Sequence, residues 1–150
     1  MSTTEQQAAE AGWAARFMTE EVAFHRYLGM RVTEAAGGRA AMVLPFREEL
    51  VGDPFRPALH GGVLATLADA TGGVAVMTHL RPEDRTSTID LRVDYLRPAR
   101  PEDLEARAEV LRLGGRVAVT AIRVYHPADP DHLLAEARGV YAVRRAGDAP

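Results

Sequence analysis

Hydrophobic positions change their spacing twice along the chain, and each change marks a different kind of element. Near the start, Trp13, Phe17, Phe24 and Leu28 recur at helical intervals, with Glu20 and Glu21 between them. Such spacing gathers large apolar side chains on one face of a helix. Thr3 and Thr4 each stand three residues before a Gln (Gln6, Gln7), a capping-box pattern, and Gly29 offers a stop. A packing helix over about residues 4–28 is predicted. Two short extended runs follow, "MRVTEAA" and "RAAMVLP", split by Gly37-Gly38 as in a hairpin. Residues 46–59 carry Gly52, Pro54 and Pro57 and read as a loop. From His60 to Leu80 the chain is apolar at almost every position and closes on Arg81-Pro82, which predicts a buried helix.

Beyond that helix the period becomes two. In "STIDLRVDYLRP" the alternation sets Ile89, Leu91, Val93 and Tyr95 on one face and Thr88, Asp90, Arg92 and Asp94 on the other. "DLEARAEVLRL" turns Leu104, Ala106, Ala108 and Val110 inward, and Gly114-Gly115 leads into "RVAVTAIRVY". "HLLAEARGVYAV" is the last strand, and the tail from Arg144 is expected to fray. Strands joined by hairpins make an antiparallel sheet, and its apolar face needs a cover. The His60–Leu80 helix supplies one. The expectation is an α+β fold, with a curved antiparallel sheet wrapped around one long central helix and an extra N-terminal helix. With no repeat or linker, residues 1–150 read as a single domain with its core at about 29–143.

Composition narrows the chemistry. The chain is 47% hydrophobic and 26% charged with net charge -3, as expected of a soluble globular protein. No basic run supports nucleic-acid binding. All 18 basic residues are Arg, so a lysine Schiff base is excluded. The absence of Cys excludes disulfides, thiol nucleophiles and Cys–zinc sites. "MSTTEQQAAE" lacks the basic and apolar regions of a secretory signal, and the apolar helix is interrupted by Asp69, His79 and several Gly and Thr. No membrane partner and a cytoplasmic location are therefore expected. His25, His79, His126 and His132 show no ligand spacing and read as surface or helix-end residues, so no metal is expected.

The chemistry concentrates in "PFRPALHGGVLATLADATGG". Gly61 and Gly62 stand at the start of the helix, where N–H groups are unpaired and the helix dipole is positive. Without side chains they would let an acyl oxygen reach those N–H groups, or they could simply permit a tight turn. Asp69 is the sole Asp, Glu or Arg between Gly61 and Leu80. A carboxylate among Leu67, Ala68, Ala70 and Val74 is costly unless hydrogen-bonded, which suits either a reactive acid or a structural one capping a loop. Asp69 lies eight residues after Gly61, on the order of 12 Å along a helix. A reacting carbonyl must sit within about 3–3.5 Å of both nucleophile and donor. One helix cannot serve both ends; two antiparallel copies could, giving a composite site in an obligatory dimer.

These residues carry a resemblance. "ALHGGVLATLADATGG", the strand "STIDLRVDYLRPA" and "LGMRVTEAAGGRAAMVLP" before them resemble the hotdog-fold thioesterases of the phenylacetate-pathway (PaaI-like, 4-hydroxybenzoyl-CoA thioesterase-like) type, over about residues 26–143. The resemblance implies hydrolysis of an aryl- or medium-chain acyl-CoA to free acid and CoA, or of acyl carrier protein thioesters, without metal or cofactor, coenzyme A being part of the substrate. It implies a homodimer or a homotetramer made of dimers. Carried over by position, Asp69 is the nucleophile or general base, Gly61 the main-chain donor, and His60 the residue shaping the turn, with Gly62 beside the substrate. Thr88 falls where the family often has a Ser or Thr that orients water or the acid. On strict alternation it would face away from the helix, so that role needs a strand end or bulge. Asp53 stands where an Asn near the thioester is common, and an ionised carboxylate there can accept but not donate. Two other functions fit the same fold: an enoyl-CoA hydratase or dehydratase using His60 and Asp69, and a non-catalytic acyl-CoA binder.

Overall fold

The computed structural model describes residues 12–149. The Thr3/Thr4 capping box and the first part of the predicted helix lie outside the described residues.

The N-terminal segment is helical but not one helix. Residues 12–16 form α1, Phe17–Glu21 form a π turn, Val22 is extended (φ -78°, ψ 109°), and α2 runs Ala23–Leu28. The predicted continuous helix to residue 28 is therefore broken. Tertiary bonds favour the break: Nδ1–H of His25 donates to the carbonyl of Met18 (2.8 Å), and Oγ1 of Thr19 accepts from the N–H of Val32 (3.0 Å). The stop falls where expected, with Gly29 left-handed at φ 72°.

Strands β1 (Arg31–Ala36) and β2 (Arg39–Leu44) form the predicted hairpin. Gly37 and Gly38 both have positive φ (56° and 80°), the requirement of its tight turn. The predicted loop then proves partly ordered: a 3-10 turn at Glu48–Leu50 leads to β3 (Val51–Asp53) and β4 (Ala58–Leu59), which pair with each other. Helix α3 spans Gly61–Met77. Strands β5 (Arg85–Tyr95), β6 (Leu104–Leu113), β7 (Val117–Tyr125) and β8 (Ala135–Arg144) complete a six-stranded antiparallel sheet in the order β1-β2-β6-β7-β8-β5. This is the hotdog architecture.

One face of that sheet closes on α3. Met42 and Leu44 from β2, Leu104 from β6, Ile122 and Val124 from β7, and Leu67 and Val74 from α3 are all buried in one cluster. Burying each contributes about 1.5–3 kcal/mol. Leu104, Ala106 and Ala108 alternate inward as predicted. Strand β5 departs from simple alternation. Thr88 pairs with Tyr141 and Asp90 with Val140, so Ile89 is an extra, bulged residue. The bulge turns Thr88 to the same side as Leu91, Val93 and Tyr95 and leaves Ile89 exposed.

The tail does not fray at Arg144. Asp84 is buried, and its carboxylate accepts from the N–H of Arg81 (2.9 Å) and of Ala146 (2.9 Å). Oδ2 of Asp148 then accepts from the N–H of Arg145 (2.7 Å). Among the described residues, no helix is long and apolar enough to cross a membrane.

Candidate active site

Helix α3 begins under a histidine cap. Nδ1 of His60 accepts the N–H of Gly62 (2.8 Å), and the His60 carbonyl accepts the N–H of Val63 (2.9 Å). A Cβ on Gly62 would stand 2.9 Å from Nδ1 of His60, so glycine there permits the cap. The Gly62 N–H is thus spent on His60. Among the described residues the N–H of Gly61 has no acceptor. Its carbonyl accepts the Tyr95 hydroxyl at 2.9 Å, and the Tyr95 ring lies 3.3 Å from where a Gly61 Cβ would be. The first turn therefore offers one open donor, Gly61 N–H, at the positive end of the helix.

Asp53 lies just before this turn. Its Oδ1 accepts the N–H groups of Phe55 (2.9 Å) and Arg56 (3.2 Å), closing the β3–β4 turn. The neighbouring Gly52 packs so closely on His60 that a Cβ would sit 2.7 Å from His60 Cα. Asp53 thus orders the hairpin that supports the start of α3, an acceptor's task that needs no donor.

Asp69 sits two turns along α3. Its neighbours Leu67, Ala68, Ala70 and Val74 turn into the core, while Asp69 itself is half-buried and faces a cavity. Its Oδ1 accepts the hydroxyl of Thr88 at 2.7 Å. That bond exists because the β5 bulge re-aims Thr88 toward the helix. Among the described residues nothing donates to Oδ2, which stays available to a water or a substrate. The main chain of Asp69 is fixed from behind: the hydroxyl of Tyr141 donates to its carbonyl at 2.8 Å. Burial, with the Asp69 carboxylate second, pushes the Tyr141 hydroxyl well above the ordinary range, so it remains a donor.

Asp69 and Gly61 do not share a cavity within one chain. Asp69 and Thr88 line one of about 790 Å³ between α3, β5 and the N-terminal segment. Gly61 lines another of about 280 Å³ beside Tyr95 and Leu96. Of the residues singled out from sequence, His60, Gly61 and Gly62 lie together at the start of α3, and Asp69 with Thr88 two turns farther along.

Two histidines are buried: His25 at the helix end expected of it, and His126, against expectation, just past the end of β7. His25 is buried, bonds the π turn and lines the Asp69 cavity. His126 is buried too, with Nδ1–H donating to the Asp103 carbonyl (2.9 Å) and Nε2 accepting from Arg100 N–H (3.0 Å). His126 does not read as internal in the sequence, because it lies one residue past the end of the β7 alternation. Tyr141 is legible in the sequence only as one more inward strand residue; its hydroxyl's target follows from the fold. Among the described residues, no three His, Asp or Glu side chains come together to hold a metal ion.

Comparison with known proteins gives the family. The thioesterase superfamily profile matches residues 57–131. The medium/long-chain acyl-CoA thioesterase YigI of Escherichia coli is 33% identical over 133 residues, covering 80% of this chain and 84% of its own. Acyl-coenzyme A thioesterase 13 of Pongo abelii is 31% identical over 126 residues, covering 81% of this chain and 85% of its own. A mutant of the phenylacetic acid degradation protein PaaI from Thermus thermophilus superposes with a TM-score of 0.69 at 28% identity, over 79% of this chain and 96% of that one. The hotdog sheet, the capped glycine turn and the helix acid thus sit in a chain that belongs to the thioesterase superfamily and is a thioester hydrolase.

Proposed function

We propose that the protein hydrolyses acyl-CoA thioesters in a site completed by two copies of the chain, Asp69 and Thr88 from one and the Gly61 N–H from the other. The observation that carries this reading is the 2.7 Å bond from Thr88 to one oxygen of Asp69, at a cavity separate from the one Gly61 lines. Thr88 holds Oδ1 and directs Oδ2 toward the reacting centre. Asp69 then takes a proton from an attacking water, or attacks the carbonyl carbon itself. The carbonyl oxygen gains negative charge and is met by the Gly61 N–H, aided by the α3 dipole. When the tetrahedral centre collapses, the C–S bond breaks and the thiolate leaves. If Asp69 took the proton of water, it returns that proton to the thiolate. If Asp69 attacked, a water then hydrolyses the anhydride it forms, freeing the acid and the Asp69 carboxylate and giving its proton to the thiolate.

The sheet edge supports the pairing. Strand β5 is eleven residues long and ends the sheet, with Ile89 58% exposed and Tyr95 53% exposed. A long exposed edge invites another strand. Antiparallel pairing of two β5 strands about a two-fold axis would also bring two α3 helices side by side.

Thiol release from a panel of acyl-CoAs tests the reaction; Asp69→Asn is expected to lower it about 10²–10⁴-fold. A mixing experiment tests the composite site. Gly61→Pro removes the proposed donor at a position where a helix tolerates proline, and His60 already has the extended backbone (φ -62°, ψ 133°) that a following proline needs. Asp69→Asn and Gly61→Pro chains are each expected to be inactive alone. Mixed and allowed to exchange, they form heterodimers with one intact site, restoring roughly a quarter of wild-type activity. No restoration despite demonstrated exchange refutes the composite site.

A further inference from the structure

The cavity beside Asp69 is an elongated cleft. Its floor is one face of α3. Asp69, Gly73 and Met77 follow at four-residue intervals, so they stack along that face, and Leu80 lies just beyond. One wall is the start of β5, from Thr88 back to Arg85, a span of about 10 Å at ~3.4 Å per residue. The roof is the N-terminal segment, with Trp13, Phe17, Met18 and Phe24. At the far end the indole N–H of Trp13 donates to the Leu80 carbonyl (3.3 Å), which ties the roof to the floor. Pro82 and Asp84, whose carboxylate is taken up by backbone N–H groups, stand at that end too.

The roof is held in place. Trp13 and Phe17 contact with ring centroids 6.3 Å apart, and the His25–Met18 and Val32–Thr19 bonds anchor the π turn. Yet Phe17 is 39% and Phe24 54% exposed. These apolar surfaces share the cleft with Arg16, Glu21 and Arg85 and with the Asp69–Thr88 carboxylate–hydroxyl pair.

We infer that this cleft is the acyl chamber of the thioesterase, and that its length along α3 limits the straight-chain acyl group to roughly ten carbons. The inference rests on the thioester-hydrolase reading and adds to it the residues that measure the acyl chain. From Asp69 to Met77 is eight residues, on the order of 12 Å of helix. A zigzag chain of ~1.5 Å bonds at ~111° advances roughly 1.25 Å per carbon, which gives that limit. The cleft's volume, about 790 Å³, falls in the usual range of small-molecule sites. Gly73 is the floor's open point: a Cβ there would meet only ordinary contacts, 3.8 Å from Tyr141 and 3.9 Å from Met18. A longer side chain at Gly73 would project into the path of the acyl chain.

Two measurements test the chamber. Trp13 is the only tryptophan, so intrinsic fluorescence reports on the roof without any turnover. Titration with S-decyl-CoA, a thioether that cannot be hydrolysed, is expected to change Trp13 emission, and free CoA is not. For wild type, kcat/KM is expected to rise about fourfold per added CH2 from butyryl- to about decanoyl-CoA and then level off. In Gly73→Leu the decanoyl-to-butyryl ratio of kcat/KM is expected to fall at least about tenfold, as the leucine displaces several methylenes. A ratio unchanged by Gly73→Leu, or equal Trp13 responses to S-decyl-CoA and CoA, overturns the chamber and leaves hydrolysis standing. A Trp13 response specific to S-decyl-CoA without thiol release from any acyl-CoA keeps the chamber and overturns hydrolysis.

Discussion

Gly72→Ala sets two physical effects against each other. In a helix interior, alanine is favoured over glycine by about 1 kcal/mol. Propensity alone therefore predicts a more stable protein. The surroundings of Gly72 predict the opposite. A Cβ there would stand 2.2 Å from the Tyr141 hydroxyl oxygen, 2.9 Å from its Cζ and 3.0 Å from Cδ1 of Ile122. Tyr141 is 1% exposed and cannot swing away into solvent. To reach ordinary contact its hydroxyl must retreat by more than an ångström, which breaks the 2.8 Å bond to the Asp69 carbonyl. Overpacking costs about 1–3 kcal/mol, and a buried hydroxyl left without its partner costs about 1–3 kcal/mol more. Less the propensity gain, the net loss is about 3 kcal/mol, or a fall in Tm of roughly 6–12 °C for a chain of this size. The assay is thermal or urea unfolding of wild type, Gly72→Ala, Tyr141→Phe and the double variant. Removing the hydroxyl relieves the shortest contact, so Gly72→Ala is expected to cost about 1–2 kcal/mol less in the Tyr141→Phe background. A Gly72→Ala protein as stable as wild type, or a cycle with no coupling, refutes the steric account.

Thr88→Val keeps the shape of the side chain and removes the hydroxyl bonded to Asp69. Because the pair is partly open to solvent, the lower end of a charged hydrogen bond applies, and kcat is expected to fall about tenfold with little change in Tm, as read by steady-state thiol release. At Asp84, the N–H bond from Arg81 first and that from Ala146 second hold the carboxyl below its ordinary value of 3.8. A depressed folded value contributes stability that is present above the unfolded value and lost as pH falls through the folded one. Asp84→Ala is therefore expected to lower Tm by about 4–8 °C at neutral pH, with the gap to wild type closing as pH drops below about 3.8.

Local sequence is enough to set most of the secondary elements and most of the site's chemical inventory. Alternation in β6 and the Gly37-Gly38 turn are local: each follows from the pleat or from positive φ, without reference to distant residues. So does the isolation of Asp69 in an apolar helix, together with the pair of glycines at that helix's start. Where those groups point, and what they meet, depends on packing between distant segments. Alternation turns Thr88 away from Asp69; a single bulged residue, Ile89, turns it back, because sheet pairing with β8 rather than the local sequence fixes the register. The apolar spacing of Trp13, Phe17, Phe24 and Leu28 promises one helix. Hydrogen bonds from residues farther along the chain, and from His25, favour a π turn and a break at Val22, and so shape the cleft's roof. Asp53 and His60 can be named from sequence, but their bonds to the Phe55, Arg56 and Gly62 N–H groups depend on backbone angles that residue identity leaves open. Periodicity records which faces are buried. It does not record which buried face another element will meet, and the contact between Asp69 and Thr88 is such a meeting.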